Sequence, residues 1–267
     1  MSDLHLLHPS SPGAPRRVPG GAGASDPEDD LAALYPHDLP TGGRPVRVRA
    51  NLVTTVDGAG AGEDASSRSI SGPADLRLLV LLRSLADVVL VGAGTARSES
   101  YGRVRVRPAL AERRRHLGQG PAPALAVVTR TGRIPDALAE PPEGAGAVLA
   151  LTCAAAGDAA LDTLRSSLGE DAVLVAGSTD VDLRAAAQAL ADRGLVRVLC
   201  EGGPSLLRAV VAADLLDELC LTTSPLLVAG DGPRALVGPA LERHLRLRSL
   251  LLAEEESTLL ARWDVER

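Results

Sequence analysis

Apolar positions along the chain change their period at definable points, and those changes mark its elements. Apolar and polar residues alternate in Val46-Arg47-Val48-Arg49-Ala50-Asn51-Leu52-Val53, a strand pattern that closes on the turn pair Asp57-Gly58. A Gly/Ser-rich loop follows, and Pro73 opens a helix expected through Ala86, proline being suited to a first turn. Continuous apolar runs then alternate with helical periodicity. Strands are expected over Asp87–Val91, Ala124–Thr129, Ala147–Leu151, Ala172–Ala176 and Val196–Cys200. Helices are expected from Gly94-Thr95-Ala96, over Asp158–Leu168, over Leu183–Arg193 closed by Gly194, and from Pro204 to Ala213. The tail differs: Glu218–Thr223, Leu245–Ala253 and Thr258–Val265 read as strands with no helix between them. Strand–helix alternation implies a parallel sheet, and the tail implies antiparallel strands added at one edge. No internal repeat is visible.

Residues 1–44 are rich in Pro, Gly, Ser and Asp with little periodicity. They are expected to form a mobile or loosely docked leader, docking near Leu34-Tyr35-Pro36, ahead of a single domain over 45–267.

Composition narrows the classes of function. The 267 residues, 45% apolar, suffice to bury a full core. Twenty-eight basic against 34 acidic residues leave a net charge of −6, which argues against a nucleic-acid partner. With no Phe, one Trp and two Tyr there is no platform for stacking bases. All 28 basic residues are arginine, so lysine Schiff-base chemistry and a lysine-dependent P-loop are excluded. The abundance of Ala, Gly, Arg, Leu and Val reads as compositional bias, which lowers the weight of any lone Arg or Gly. Cys153, Cys200 and Cys220 lie far apart in apolar runs, so buried reduced thiols are expected and no metal site. No apolar run reaches the ~20 residues of a membrane span, and no signal peptide is evident. A cytoplasmic protein without membrane partner is expected.

Two stretches carry most of the chemistry. In Val88-Val89-Leu90-Val91-Gly92-Ala93-Gly94-Thr95-Ala96-Arg97 a glycine turn joins strand to helix, where amides and the helix dipole can hold phosphate. Arg97 replaces the third glycine of a dinucleotide fingerprint, and no strand-end acidic residue follows about 20 positions on to grip a ribose, so that fingerprint fails. A close strand–helix crossing is the alternative reading. The second stretch, Glu201-Gly202-Gly203-Pro204-Ser205-Leu206-Leu207, again enters a helix from a strand end, and a buried Glu201 there must be paired or touch a polar ligand. A plain glycine turn with a solvated Glu is its alternative. Asn51–Gly58 and Ser66–Ser71 taken singly read as turn chemistry.

Taken together, Asn51-Leu-Val-Thr-Thr-Val-Asp57-Gly58, Ser71-Gly-Pro-Ala-Asp75, Arg83-Ser-Leu-Ala-Asp87-Val-Val-Leu-Val-Gly-Ala-Gly94-Thr95 and Glu201-Gly-Gly-Pro-Ser-Leu207 resemble, in order and spacing, the pyrimidine reductase family. That family is the reductase portion of the bifunctional deaminase–reductase of riboflavin biosynthesis. The resemblance covers Val46 to the C-terminus and implies a dihydrofolate reductase-like three-layer α/β/α fold, with a mostly parallel central sheet and antiparallel C-terminal strands. It implies NADPH as cofactor, lined by Thr54, Gly94, Thr95, Glu99 and the turn Gly202, Gly203, Pro204, Ser205, Leu206 and Leu207. Thr129-Arg130 resembles the turn that grips the cofactor 2′-phosphate, which suits an arginine fork. Asn51, Asp57, Ser67, Arg83 and Glu201 fall at substrate positions. Asn51 stands where the riboflavin enzymes often carry Lys, and Glu99-Ser100-Tyr101-Gly102 replaces a common Asp-Pro pair. The zinc signature of the deaminase half is absent from this sequence.

The expected activity is a stand-alone, homodimeric NADPH-dependent reductase of a ribosylamino-pyrimidine, with hydride added at C1′ of the ribosyl group. Glu201 is the candidate acid, and bound water is its alternative. Two rival readings remain: a pterin or folate reductase, with Asp57 or Glu201 at the pteridine, and a non-catalytic nucleotide- or flavin-binding module.

Overall fold

The computed structural model describes residues 3–8, 16–18, 27–140 and 144–267. Its elements in chain order begin with β1 (Leu4–His8), β2 (Arg16–Val18), α1 (Pro27–Leu34), β3 (Arg47–Thr55), α2 (Pro73–Leu85), β4 (Val88–Gly92), α3 (Ala93–Ser98) and α4 (Pro108–His116). They continue with β5 (Ala124–Val128), β6 (Val148–Thr152), α5 (Asp158–Leu168), β7 (Val173–Val175), α6 (Leu183–Ala191), β8 (Arg197–Cys200) and α7 (Pro204–Ala212). The last three are β9 (Leu216–Ser224), β10 (Leu245–Ala253) and β11 (Thr258–Val265). Contacts divide the chain into two compact units, His37–Val48 with Arg83–Leu215, and Met1–Pro36 with Arg49–Leu82 and Leu216–Arg267.

In the first of these, β8, β4, β5, β6 and β7 lie side by side in that order, every pair parallel. Val88, Val89, Leu90 and Val91 are buried in succession, the pattern of a strand covered on both faces. α5 turns Leu161 and Leu164 onto Ala150 and Val173. α6 is capped by Asp182, whose carboxylate accepts from the Arg184 and Ala185 amides. It ends two residues before the expected Arg193, and Gly194 turns the chain at a φ of +74°.

α4 was not expected. Pro-Ala-Leu-Ala-Glu-Arg-Arg-Arg-His offers no apolar stripe, because much of what it buries is a guanidinium. Arg114, fully buried, donates to the carbonyls of Ser84 (3.0 Å), Ala86 (2.6 Å) and Gly120 (2.7 Å). Gln119 adds a bond to the Leu85 carbonyl at 3.0 Å. Together they satisfy the carbonyls that the end of α2 leaves without helical partners.

In the other unit β2, β1, β10, β11 and β9 follow one another, all antiparallel, with β3 next to β9. The α/β class, with parallel strands and then antiparallel C-terminal ones, is thus what the chain adopts, and N-terminal strands join the antiparallel part. The stretch expected as a leader lies partly outside the described residues. Where described, it carries β1, β2 and α1: Leu4 pairs with Ala253 on one side and Val18 on the other, and all three are buried. Arg49 donates to the Tyr35 and Pro36 carbonyls (3.1 and 2.6 Å), and Arg262 to that of Leu34 (2.6 Å). Glu218, 1% exposed, pairs with both arginines. Burial pushes its carboxyl up, but the two guanidinium charges outweigh that and hold it below the usual range.

Candidate functional site

The carboxyl ends of β4 and β8 meet in two glycine turns. The Gly92 amide donates to the Gly202 carbonyl at 2.8 Å, and that of Glu201 to Leu90 at 3.0 Å. β4 passes straight into α3, whose second residue, Gly94, is exposed; a Cβ there would meet nothing within 4 Å. Packing therefore does not require glycine at 94. The Gly202–Gly203 peptide is cis. At Gly203 the φ of −64° is open to any residue, yet a Cβ would collide with the Thr95 hydroxyl. Close approach to Thr95, rather than backbone angle, demands glycine there. α7 then starts with Pro204 in its first turn and has no capping side chain. Ser205 is exposed, Leu206 half-buried, and Leu207 buried with its amide bonded to the Gly203 carbonyl (2.9 Å).

Beside this turn the structure brings together Arg83, Glu201 and Tyr101. Glu201 is 3% exposed at the side chain, and both its oxygens are taken: Oε1 accepts from Arg83 Nε (2.7 Å), Oε2 from Arg83 Nη2 (2.6 Å) and the Tyr101 hydroxyl (2.7 Å). The Arg83 guanidinium lies over the Tyr101 ring, 5.6 Å from its centre. Burial opposes the Arg83 charge, but the bonds and charge of Glu201 more than offset it, so its pKa is raised. Burial, then the adjacent carboxylate, pushes the Tyr101 phenol well above its ordinary range, so it remains a donor. Sequence reasoning took Glu201 as the candidate acid, but in this arrangement it accepts from three donors and holds them. Arg83, expected on substrate, spends two nitrogens on Glu201 and has Nη1 outside these bonds; its side chain is 28% exposed. Tyr101 was not singled out as a site residue.

Beyond β5, the Thr129 hydroxyl takes the Arg133 amide and meets its carbonyl, both at 3.1 Å, so it closes the turn rather than remaining open to a ligand. Arg130 is exposed on that turn, and among the described residues its guanidinium has no hydrogen-bond or ion-pair partner. Arg97 of α3 reaches the same turn through the Arg133 carbonyl (3.4 Å). Glu99 forms the C-cap of α3.

The remaining expected residues belong to the other unit. Asn51 and Thr54 are buried on β3, and among the described residues Asn51 Oδ1 has no hydrogen-bond partner. Asp57 accepts from the Thr55 hydroxyl and from the amides of Ala229 (2.7 Å) and Val228 (3.2 Å), which hold its carboxyl below the usual range. Its carboxylate thus anchors the 226–229 loop. Ser67 sits in a short 3-10 turn. Among the described residues no group of three His, Cys, Asp or Glu could hold a metal ion, and no helix is long and apolar enough to cross a membrane.

Residues 46–258 match the model of the RibD C-terminal domain family. The chain belongs to that family. Among curated proteins it is 26% identical, over 81% of its length and 98% of the relative's, to the 2,5-diamino-6-ribosylamino-4(3H)-pyrimidinone 5′-phosphate reductase of Archaeoglobus fulgidus. The same-named reductase of Methanothermobacter thermautotrophicus is 29% identical over 70% of this chain and 81% of that one. Among solved structures, a pyrimidine reductase-like protein from Corynebacterium diphtheriae superposes with a TM-score of 0.74 at 26% identity, covering 83% of this chain and 92% of the other. The named curated relatives of this RibD-family chain are reductases.

Proposed function

We propose that the chain is an NADPH-dependent reductase of a phosphoribosylamino-pyrimidine of the 5-amino-6-(5-phosphoribosylamino)uracil type, acting as a homodimer in the cytoplasm. The observation that carries this reading is the pair of glycine turns at the ends of β4 and β8, open at Gly94 and closed to any Cβ at Gly203. NADPH, when bound, supplies the hydride that adds at C1′ of the ring-opened or imine form of the ribosyl group. Gly94, Thr95 and the uncapped amides at Ser205 and Leu206 would hold its pyrophosphate, where free N–H groups and the α7 dipole favour negative charge. Arg130, exposed and without a guanidinium partner among the described residues, would take the 2′-phosphate. Arg83 offers Nη1 to an acceptor oxygen of the substrate. Because Glu201 accepts from Arg83 and Tyr101, water supplies the proton.

A pterin reading needs an acid at the pteridine, and both candidates have their oxygens engaged by protein donors. The positions Asn51, Thr54, Asp57 and Ser67 enter this reading through the family resemblance alone. For the homodimer, β1 covers the 250–253 half of β10, so that stretch is not a bare strand edge open to a second copy. Exposed Leu226, Leu227, Leu236, Val237 and Leu241 supply the apolar surface instead. Three buried free thiols fit a cytoplasmic location.

The test is NADPH oxidation at 340 nm with a panel of phosphoribosylamino-pyrimidines and dihydropterins. Turnover of the pyrimidine is expected; turnover of the pterin alone, or of neither, would overturn the reading.

A further inference from the structure

We propose that Tyr101 is a positioning residue that sets how Arg83 meets the substrate, and so fixes the class of substrate group received there; the inference rests on the reductase reading above. Tyr101 is one of two tyrosines in a chain without phenylalanine, so it is not compositional filler. The chain delivers it by reversing at the end of α3. The Glu99 amide bonds to Thr95 (2.9 Å), Ser100 to Arg97 (3.2 Å) and Tyr101 to Ala96 (2.9 Å), with Ser100 at a φ of +49°. This turn brings the phenol to Glu201 and its ring beneath the Arg83 guanidinium.

The consequence is a division of donors and acceptors. A carboxylate held only by an arginine fork has lone pairs left over and can accept from an amino group on a ligand. Here the Tyr101 hydroxyl takes a further lone pair on Oε2, so the carboxylate is pinned from three donors. Pinning Glu201 fixes the plane of the guanidinium, whose Nη1 lies outside these bonds and can donate. The substrate group that meets Arg83 is therefore an acceptor, a phosphate oxygen or a ring carbonyl. Removing the hydroxyl reopens Oε2 and loosens the plane of Arg83, while the ring and its contact with the cation persist.

Tyr101→Phe isolates the hydroxyl. The variant is expected to melt within a few degrees of wild type and to bind NADPH alike in a fluorescence titration. Its KM for the phosphoribosylamino-pyrimidine should rise about tenfold with kcat within about threefold, because substrate orientation at Arg83 is what is lost. A merely structural tyrosine would leave KM unchanged, and that result would overturn the proposal. A second measurement needs no substrate. In Tyr35→Phe the remaining tyrosine is Tyr101, and its ionisation is followed at 295 nm. Glu201→Gln in that background should move the transition to lower pH, since the carboxylate opposes the phenolate; an unmoved transition would overturn the Tyr101–Glu201 coupling. If the parent enzyme turns over no pyrimidine, the proposed function fails instead, and the absorbance titration decides the coupling by itself.

Discussion

Replacing Gly94 by alanine should raise stability and weaken cofactor binding at once. Gly94 is the second residue of α3, its φ needs no glycine, and a methyl group there meets nothing within 4 Å. Alanine in a helix is better than glycine by roughly 0.5–1 kcal/mol, through backbone entropy. In a chain of this size 1 kcal/mol moves the melting temperature by about 2–4 °C, so a rise of about 1–4 °C is expected. If the α3 amides face the cofactor pyrophosphate, the same methyl occupies the approach. Loss of one charged hydrogen bond is worth about 1.5–3 kcal/mol, or roughly ten- to a hundredfold in the NADPH dissociation constant. Differential scanning fluorimetry and NADPH fluorescence read the two effects on one preparation. Gly94→Ala protein that is more stable and binds NADPH as well as wild type would refute the placement of the pyrophosphate, and make Gly94 a product of composition. A fall in melting temperature would refute the packing argument itself.

Arg130→Ala should bring NADPH and NADH to comparable dissociation constants by removing a preference of about ten- to a hundredfold, with NADH binding unchanged; a loss shared equally by both would sever Arg130 from the 2′-phosphate. Arg83→Ala should both raise the substrate KM and destabilise the protein. Orphaning a buried carboxylate costs about 3–5 kcal/mol, and the partial exposure of Arg83 puts this case at or below the lower end, readable in urea melts. Glu218 gives a pH dependence whose sign is fixed by its lowered pKa. Its contribution is fully present above the unfolded value, 4.5, and is lost as pH falls through the folded one. Melts between pH 7 and 3 should therefore show a steeper acid loss in wild type than in Glu218→Gln, and parallel curves would count against it.

The parallel strands were legible because β4, β5, β6 and β8 are short apolar runs closed by turns, a pattern that burial on both faces imposes. α4 was not, since its most buried side chain is Arg114 and periodicity methods look for aliphatic stripes. β1 hid in a stretch whose Pro and Gly content suggested a loose leader, although Leu4 and Val18 are both fully buried. At the site, residue types showed which groups carry charge but not how their lone pairs are shared. Thr129 and Asp57 read as ligand contacts, and the structure uses both to close loops. Tyr101 was detectable by rarity: each of the two tyrosines lies under an arginine, Tyr35 below Arg262 and Tyr101 below Arg83.

The buried guanidinium of Arg114 also bears on how such a chain can drift. Surface arginines imposed by nucleotide composition can be exchanged one at a time at little cost, since exposed substitutions usually fall within about 0.5 kcal/mol. Arg114 answers three carbonyls at once, and any single replacement strands all three before another part of the chain can adjust. At about 1–3 kcal/mol for each unmet buried group, the two buried ones, Ser84 and Ala86, already consume a sizeable part of the roughly 5–15 kcal/mol by which a domain stays folded. Mutation toward arginine is thus reversible on the surface and a ratchet in the interior: once a helix end has come to depend on a guanidinium, the lineage keeps it even if the bias that introduced it disappears.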